Sequence, residues 1–431
     1  LFRAFAGKPI RALSVALSVV LSLTACSSGA SPSDPSKTNQ VEIFSWWTGA
    51  GEEAGLKALI DVFKQKHPDM EVINAAVAGG AGTNAKTVLA TRMQAGDPPD
   101  TFQVHGGSEL NDSWVAAGKM EPLDSLYEQE GWKDKFPAAL IDLVSKDGHI
   151  YSVPVNVHRS NVLWYNKKVF DQHGLKPPAT LDEFFTVAEQ LKAKGVTPLA
   201  LGDKEPWAAT HLFESVLLAT LGAEDYGKLW KGQLSLDDPR IRQAFEHFKK
   251  MLSYANTDHA ARNWQDAAQL VAKGDAAMNV MGDWVKGYFT TDLKLAAGTD
   301  FGWEPSPGTG GMFLVVTDTF GLPKGAKHPD AVKKFLAVLG SVEGQDAFNP
   351  LKGSIPARLD ADVSNYDEYG KQTMEQFKTD QLVPSLVHGS AAPEGFVTAF
   401  NQLINTFVTQ GNVDQAIQGL KQAAAQNGLA K

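Results

Sequence analysis

The sequence predicts an α/β protein of two to three domains built on parallel sheet, and three observations lead there. A chain of 431 residues exceeds the roughly 100–200 residues of one ordinary domain. Apolar residues make up 43% and charged residues 21%, ordinary globular values that exclude a disordered or fibrous class. From Val41 onward, short strand-like runs alternate with segments of helical periodicity.

Val41–Phe44 reads as a strand, which Gly49 and Gly51 break. Leu56, Leu59, Ile60 and Phe63 then recur at helical spacing until Pro68. A second strand over Glu71–Val77 leads through a Gly-rich turn into a helix over Ala85–Gln94. Thr101–Val104 is a third strand, after the turn Gly96-Asp97-Pro98-Pro99. Strand, helix, strand at this spacing needs crossovers, hence a parallel sheet whose ligands sit at the carboxyl ends of the strands. Those ends carry Ser45-Trp46-Trp47 and Gln103-Val104-His105. Val153–Tyr165 is a long extended stretch, and Leu181–Ala277 is largely helical, with a strand near Met278–Met281. Gly302–Gly311, rich in Pro and Gly, reads as a linker before a strand at Phe313–Val316. Helices follow at Ala331–Leu339 and from about Ala361 to the C-terminus.

The first segment reads as an address. Arg3, Lys8 and Arg11, with no acid, precede an uncharged apolar run over Ala12–Leu23 of secretory length, too short to span a bilayer. It ends in Leu23-Thr24-Ala25-Cys26, which resembles the lipobox of bacterial lipoproteins, in which the cysteine is lipidated and becomes the first residue. Residues 1–25 are then a signal peptide and 26–40 a flexible tether of Ser, Pro, Gly, Lys and Asn. Without residues 1–25 the net charge falls from −9 to −12, 37 basic against 49 acidic groups. Such acidity does not suit nucleic acid, whose binders carry basic stripes. Cys26 is the one cysteine, which excludes an intramolecular disulfide framework and a thiolate zinc cluster.

The loop Gly79-Gly80-Ala81-Gly82-Thr83-Asn84-Ala85-Lys86-Thr87 lies between a strand and a helix, as a phosphate cradle would. An exported chain meets little ATP or NAD, so the glycines are read as a tight turn. H-E-x-x-H, G-x-S-x-G and an EF-hand loop are absent, and no cofactor or metal is implied. Glu52 or Glu53 with Asp283 would be the candidates for a glycosidase acid pair. The ten Trp stand out more. Trp46 and Trp47 end a strand, so that one can pack inward while its neighbour faces the crevice. Trp264 starts a helix, and Trp284 follows the turn Gly282-Asp283. A pyranose offers C–H faces to aromatic rings and a fringe of hydroxyls to polar side chains, the residue types found beside these Trp.

Six segments in one order carry a resemblance across nearly the whole mature chain. They are Val41-Glu-Ile-Phe-Ser-Trp-Trp47, Gly96-Asp-Pro-Pro-Asp-Thr-Phe-Gln-Val-His105, Ser152-Val-Pro-Val-Asn-Val-His-Arg-Ser-Asn161, Asn279-Val-Met-Gly-Asp-Trp284, Phe348-Asn-Pro-Leu-Lys-Gly-Ser354 and Ser385-Leu-Val-His-Gly389. Together they resemble the glucose/galactose-binding proteins of bacterial ABC sugar importers, within the family 1 extracellular solute-binding proteins. The resemblance implies the type II periplasmic-binding-protein fold, two α/β lobes of mixed, mainly parallel sheet joined by hinge crossings. It divides the chain into an N-terminal lobe, 41–155 with 308–354, and a C-terminal lobe, 156–307 with 355–431. It assigns sugar contacts to Trp47, Glu52, Gln103, His105, Trp264, Trp284, Asp318, Lys352 and His388, with Trp46 and Asp283 as adjacent candidates. It implies a monomer that binds one aldohexose and delivers it to an ABC permease, without catalysis, held at the membrane by its lipid alone. Pro356 at a lobe crossing departs from the family pattern and restricts the backbone there.

Overall fold

The computed structural model describes residues 38–429. The signal peptide, Cys26 and most of the tether therefore lie outside the described residues. The tether expected to reach residue 40 gives way earlier, because Gln40 already pairs with Glu71.

Five strands form the first sheet, in the order Glu71–Asn74, Gln40–Phe44, Thr101–His105, Asp318–Gly321, Ser152–Pro154. Gln40–Phe44 is buried along its whole length, and its one buried acid, Glu42, is paired with Arg92 at 2.5 and 3.0 Å. One face packs Val41 and Ile43 with Leu56, Leu59 and Phe63 of the helix Ala50–Lys66, and with Phe335 and Phe348. The other packs Phe44, Phe102 and Val104 on Leu89 and Met93 of the helix Thr83–Ala95. Each such side chain contributes about 1.5–3 kcal/mol by leaving water. The second sheet runs Phe301–Pro305, Val162–Asn166, Ala276–Val280, Thr197–Ala200. Its helical layer is built on aromatic contacts, with Phe213 stacked on Phe245 at 4.4 Å and Phe248 on Phe407 at 5.8 Å.

Sheet direction differs from the mainly parallel expectation. In the first sheet two pairings are parallel and two antiparallel. In the second, two of three are antiparallel. The chain leaves the first sheet after Ser152–Pro154 and returns only at Asp318–Gly321, which enters between two strands running the other way. Three local expectations also change. Phe301–Pro305 is a strand where a linker was expected. There Gly302 lets the Tyr165 ring lie against the backbone, since a Cβ would sit 2.2 Å from Tyr165 Cζ. Thr197–Ala200 interrupts the helical region, and Gln381–Pro384 interrupts the C-terminal one.

The two bodies are joined where Val157 and Ile355 exchange backbone hydrogen bonds of 2.8 and 3.0 Å. Beside them a small sheet pairs Gln381–Pro384, Met312–Val316 and His158–Arg159. Beyond Gln381–Pro384 the chain turns back toward the first sheet, where Glu109 N–H donates to Gly389 O and Ser108 N–H to Ser390 O. Gly107 makes that approach possible, with φ at 106° and Ser390 O only 2.5 Å from where a Cβ would stand. Among the described residues no helix is long and apolar enough to cross a membrane.

Gly107→Ala should therefore lose about 1–3 kcal/mol of stability, the range for a strained non-glycine backbone. Urea unfolding followed by Trp fluorescence checks it; an unchanged midpoint would contradict the close approach.

Candidate ligand-binding cleft

A cleft of about 960 Å³ opens between the two sheets, lined from both sides. Strand and helix ends position its side chains. Trp46 and Trp47 follow Gln40–Phe44, and Glu52 lies in the first turn of the next helix. His105 ends its strand, and the antiparallel register puts Asp318 directly opposite. Lys352 closes the helix Val342–Lys352. On the facing side Trp264 starts a helix fixed by a capping box, in which Asn263 Oδ1 accepts from Asp266 N–H at 2.8 Å. Trp284 folds back over Gly282, a position with room for no side chain because a Cβ would lie 2.3 Å from its ring.

The floor is a chain of charges. Asp318 is 3% exposed and accepts from Gln103 Nε2 at 2.7 Å and Asn156 Nδ2 at 2.8 Å. Its oxygens also face His158 Nε2 at 3.4 Å and His105 Nε2 at 3.7 Å. Burial alone would push this carboxyl up, but the His158 hydrogen bond and the Lys352 charge hold it well below the carboxylate range. His158 is bonded through Nδ1 to Asp283; burial disfavours its charged form, yet the Asp283 charge raises its pKa. Lys352 Nζ donates to Glu52 Oε1 at 2.7 Å and lies 5.9 Å from the Trp47 ring centre. At one edge Glu109 accepts from Lys86 Nζ at 2.9 Å and bonds His105 Nδ1 at 2.8 Å. Burial opposes its ionisation, but the charges of Lys86 and His105 lower its pKa to about 2.

Above the floor stand rings. Trp46 meets His105 edge-on at 5.2 Å and covers Gly82, where a Cβ would touch the indole at 3.4 Å. His388 lies 5.1 Å from Trp284, 5.6 Å from Trp207 and 5.7 Å from His105, so it spans both sides. Its Nε2 faces His211 Nδ1 at 3.2 Å. Burial and the neighbouring His211 keep the His388 pKa well below its usual value, and burial lowers that of His211 to about 3. Both rings are neutral near pH 7, able to donate through one nitrogen and accept through the other.

Of the residues read from sequence, Trp46, Trp47, Glu52, His105, Trp264, Trp284, Asp318, Lys352 and His388 all line the cleft. Trp46 is half-buried, whereas Trp47 is 1% exposed between Phe348 at 4.8 Å and Phe320 at 5.5 Å. Two residues stand behind the lining. Gln103 is buried, donates to Asp318 and accepts from Trp46 N–H at 3.1 Å, so it holds other residues in place. Asp283 is fully buried, bonding His158, Arg159 N–H at 2.9 Å and Tyr369 Oη at 3.2 Å. Of the carboxylates considered for an acid pair, Asp283 lies behind the lining bonded to His158, and Glu52 is paired with Lys352. Sequence reasoning missed Lys86, His158 and Trp207, which line the cleft as well. The polar run Asn156–Asn161 inside an otherwise apolar extended stretch was the available signal for His158.

The model of the bacterial extracellular solute-binding protein family matches residues 46–346, most of the chain. The chain belongs to that family. This solute-binding protein is 42% identical over 407 residues to an uncharacterized ABC transporter extracellular-binding protein of Pyrococcus horikoshii, covering 93% of this chain and 91% of the other. It is 36% identical over 395 residues to a Mesorhizobium japonicum protein described as a "probable sugar-binding periplasmic protein", covering 89% and 93% of the two. The solved structure of the bacterial solute receptor AcbH, whose substrate preference is exclusively β-D-galactopyranose, superposes with a TM-score of 0.81 at 22% identity. It covers 90% of this chain and 98% of that one, which shows the two-lobe solute-binding fold.

Glu109 also sets a test of the floor. Its lowered pKa contributes stability that is present above the unfolded value near 4.5 and is lost as pH falls toward 2. The upper bound is roughly 3 kcal/mol, at 1.36 kcal/mol per unit. Urea melts between pH 5 and 2.5 should therefore fall less steeply for Glu109→Gln than for the wild type, and parallel curves would show that the carboxylate carries no such stability.

Proposed function

We propose that this protein captures a monosaccharide, glucose, galactose or a related aldohexose, in the cleft and delivers it to an ABC permease. One observation carries the reading: Trp46, Trp264, Trp284 and His388 surround a floor of Asp318, Lys352, Glu52 and His105 on a single cleft. Aromatic faces suit the C–H faces of a pyranose. Carboxylates accept from its hydroxyls, Lys352 donates, and the neutral His388 does either. The sugar-binding description of the Mesorhizobium relative is in keeping with this. Closure of the lobes at the crossings by Val157 and Ile355 brings the two walls together around the ligand. The protein acts without catalysis or cofactor, as an exported monomer whose Cys26 carries the lipid anchor. Transport energy comes from the ATPase of the importer.

The cleft volume favours a second reading, an oligosaccharide, because 960 Å³ lies at the upper end of the roughly 300–1,000 Å³ common for small-molecule sites. Calorimetry of the mature protein with glucose, galactose and maltose separates the two. Binding of glucose or galactose, with maltose much weaker, is expected; the opposite order supports the oligosaccharide, and no heat with any sugar defeats both. Trp284→Ala should weaken hexose binding about 30-fold, the equivalent of roughly 2 kcal/mol of lost ring contact. A folded Trp284→Ala variant with wild-type affinity would remove that ring from the site.

A further inference from the structure

Glu214 has no place in the cleft lining, yet its surroundings are arranged around one element of the cleft. It sits in the helix Trp207–Leu221 at 1% exposure. Its carboxylate accepts from Tyr226 Oη at 2.5 Å, Ser385 Oγ at 2.8 Å, Leu386 N–H and Val387 N–H at 3.4 Å. Three of these four donors belong to consecutive residues of the loop that ends in His388 and Gly389. In its ionised form a carboxyl group offers acceptors alone, so it can gather several donors that a neutral amide could not all satisfy.

The same loop is gripped at two further points. One turn before Glu214, His211 Nδ1 meets His388 Nε2 at 3.2 Å, so one helix holds both the loop backbone and the ring it presents. From the first sheet, Glu109 and Ser108 N–H groups hold Gly389 and Ser390 carbonyls at 2.7 and 3.1 Å. Burial pushes the Glu214 carboxyl up to about 7, against the hydrogen bonds from Tyr226 and Ser385 that favour its charge. Surface packing alone does not call for a buried acid held at such a cost to ionisation.

We propose that Glu214 is a positioning residue for ligand capture, which fixes the loop Ser385–Val387 and thereby the place and tautomer of the His388 ring. The proposal rests on the sugar-binding reading of the cleft for its affinity readout, though not for its structural one. The helix Trp207–Leu221, well inside the second body, then helps to determine which sugar hydroxyl His388 meets.

The experiment uses the mature protein and the variants Glu214→Gln, Tyr226→Phe, His388→Ala and Glu214→Gln/His388→Ala. Imidazole nitrogen NMR of the ligand-free protein reads the His388 tautomer, and calorimetry with galactose and glucose reads affinity. Glu214→Gln should move the His388 ring signals and weaken sugar binding about tenfold, as for losing one buried hydrogen bond. In the His388→Ala background the same change should cost less than about twofold, because its route to the ligand is gone. Should Glu214→Gln fail to fold, Tyr226→Phe removes a donor to the carboxyl without touching His388 and should shift the same signals in the same direction. Unmoved His388 signals in a folded variant, or an equal affinity loss with and without His388, would overturn the proposal. If the wild type binds no sugar, the functional reading fails while the NMR arm still decides the positioning role.

Discussion

The Asp318 carboxylate is the constraint from which the site follows. A carboxylate removed from water needs hydrogen bonds and countercharge, and leaving one unpaired costs several kcal/mol. Here Gln103 and Asn156 donate to it, and His158, His105 and Lys352 surround it. These partners come from the third strand, the crossing between the bodies and a helix end more than thirty residues downstream. Satisfying one buried charge therefore aligns the elements that form the floor. Asn156 deepens the coupling, since its Oδ1 also accepts from Asp318 N–H at 2.8 Å, tying the crossing to the strand.

The same logic extends outward by alternating charge. Glu52 faces Lys352, His158 is bonded to Asp283, and Lys86 and His105 share Glu109. Each charge at the floor is paired before any ligand arrives. Prior pairing suits a site for neutral, hydroxyl-rich molecules better than one for ions, since an ionic ligand would have to break a buried pair. It also holds the donors and acceptors in fixed directions, which lowers the ordering cost of binding. The neutral His388 and the Trp rings above them complete a surface with one polar and one aromatic side.

How much of this was legible in the sequence depends on the kind of information required. The alternation of strand and helix was readable, and strand ends pointed to Trp46, Trp47 and His105 because ligands collect there. Trp264 and Trp284 were readable from their cap and turn neighbours. Parity along a strand could not separate Gln103 from His105, two residues apart on one face. Only the return of Asp318–Gly321 over Gln103, a pairing across 215 residues, turns it from a lining residue into a support. The linker assigned to Gly302–Gly311 failed for a related reason: Gly302 serves a contact with Tyr165 that no local pattern reveals. Lys86 sat inside a glycine motif read solely as a turn, and its charge matters because Glu109 lies beside it in space.

The loop at Ser385–Ser390 shows why the two bodies are best regarded as one device. Its carbonyls are held from the first sheet by Ser108 and Glu109, and its N–H groups from the second by Glu214. A small sheet lies just before it, with Gln381–Pro384 paired to Met312–Val316. The crossings at Val157 and Ile355 tie the bodies by backbone hydrogen bonds, and the loop keeps His388 within reach of both His105 and Trp284. A ring placed on such a shared loop is held against both walls of the cleft, by His105 on one side and Trp284 on the other. Trp284 and Trp207 of the second body already stand 5.1 and 5.6 Å from that ring, so the aromatic wall and the floor meet at His388.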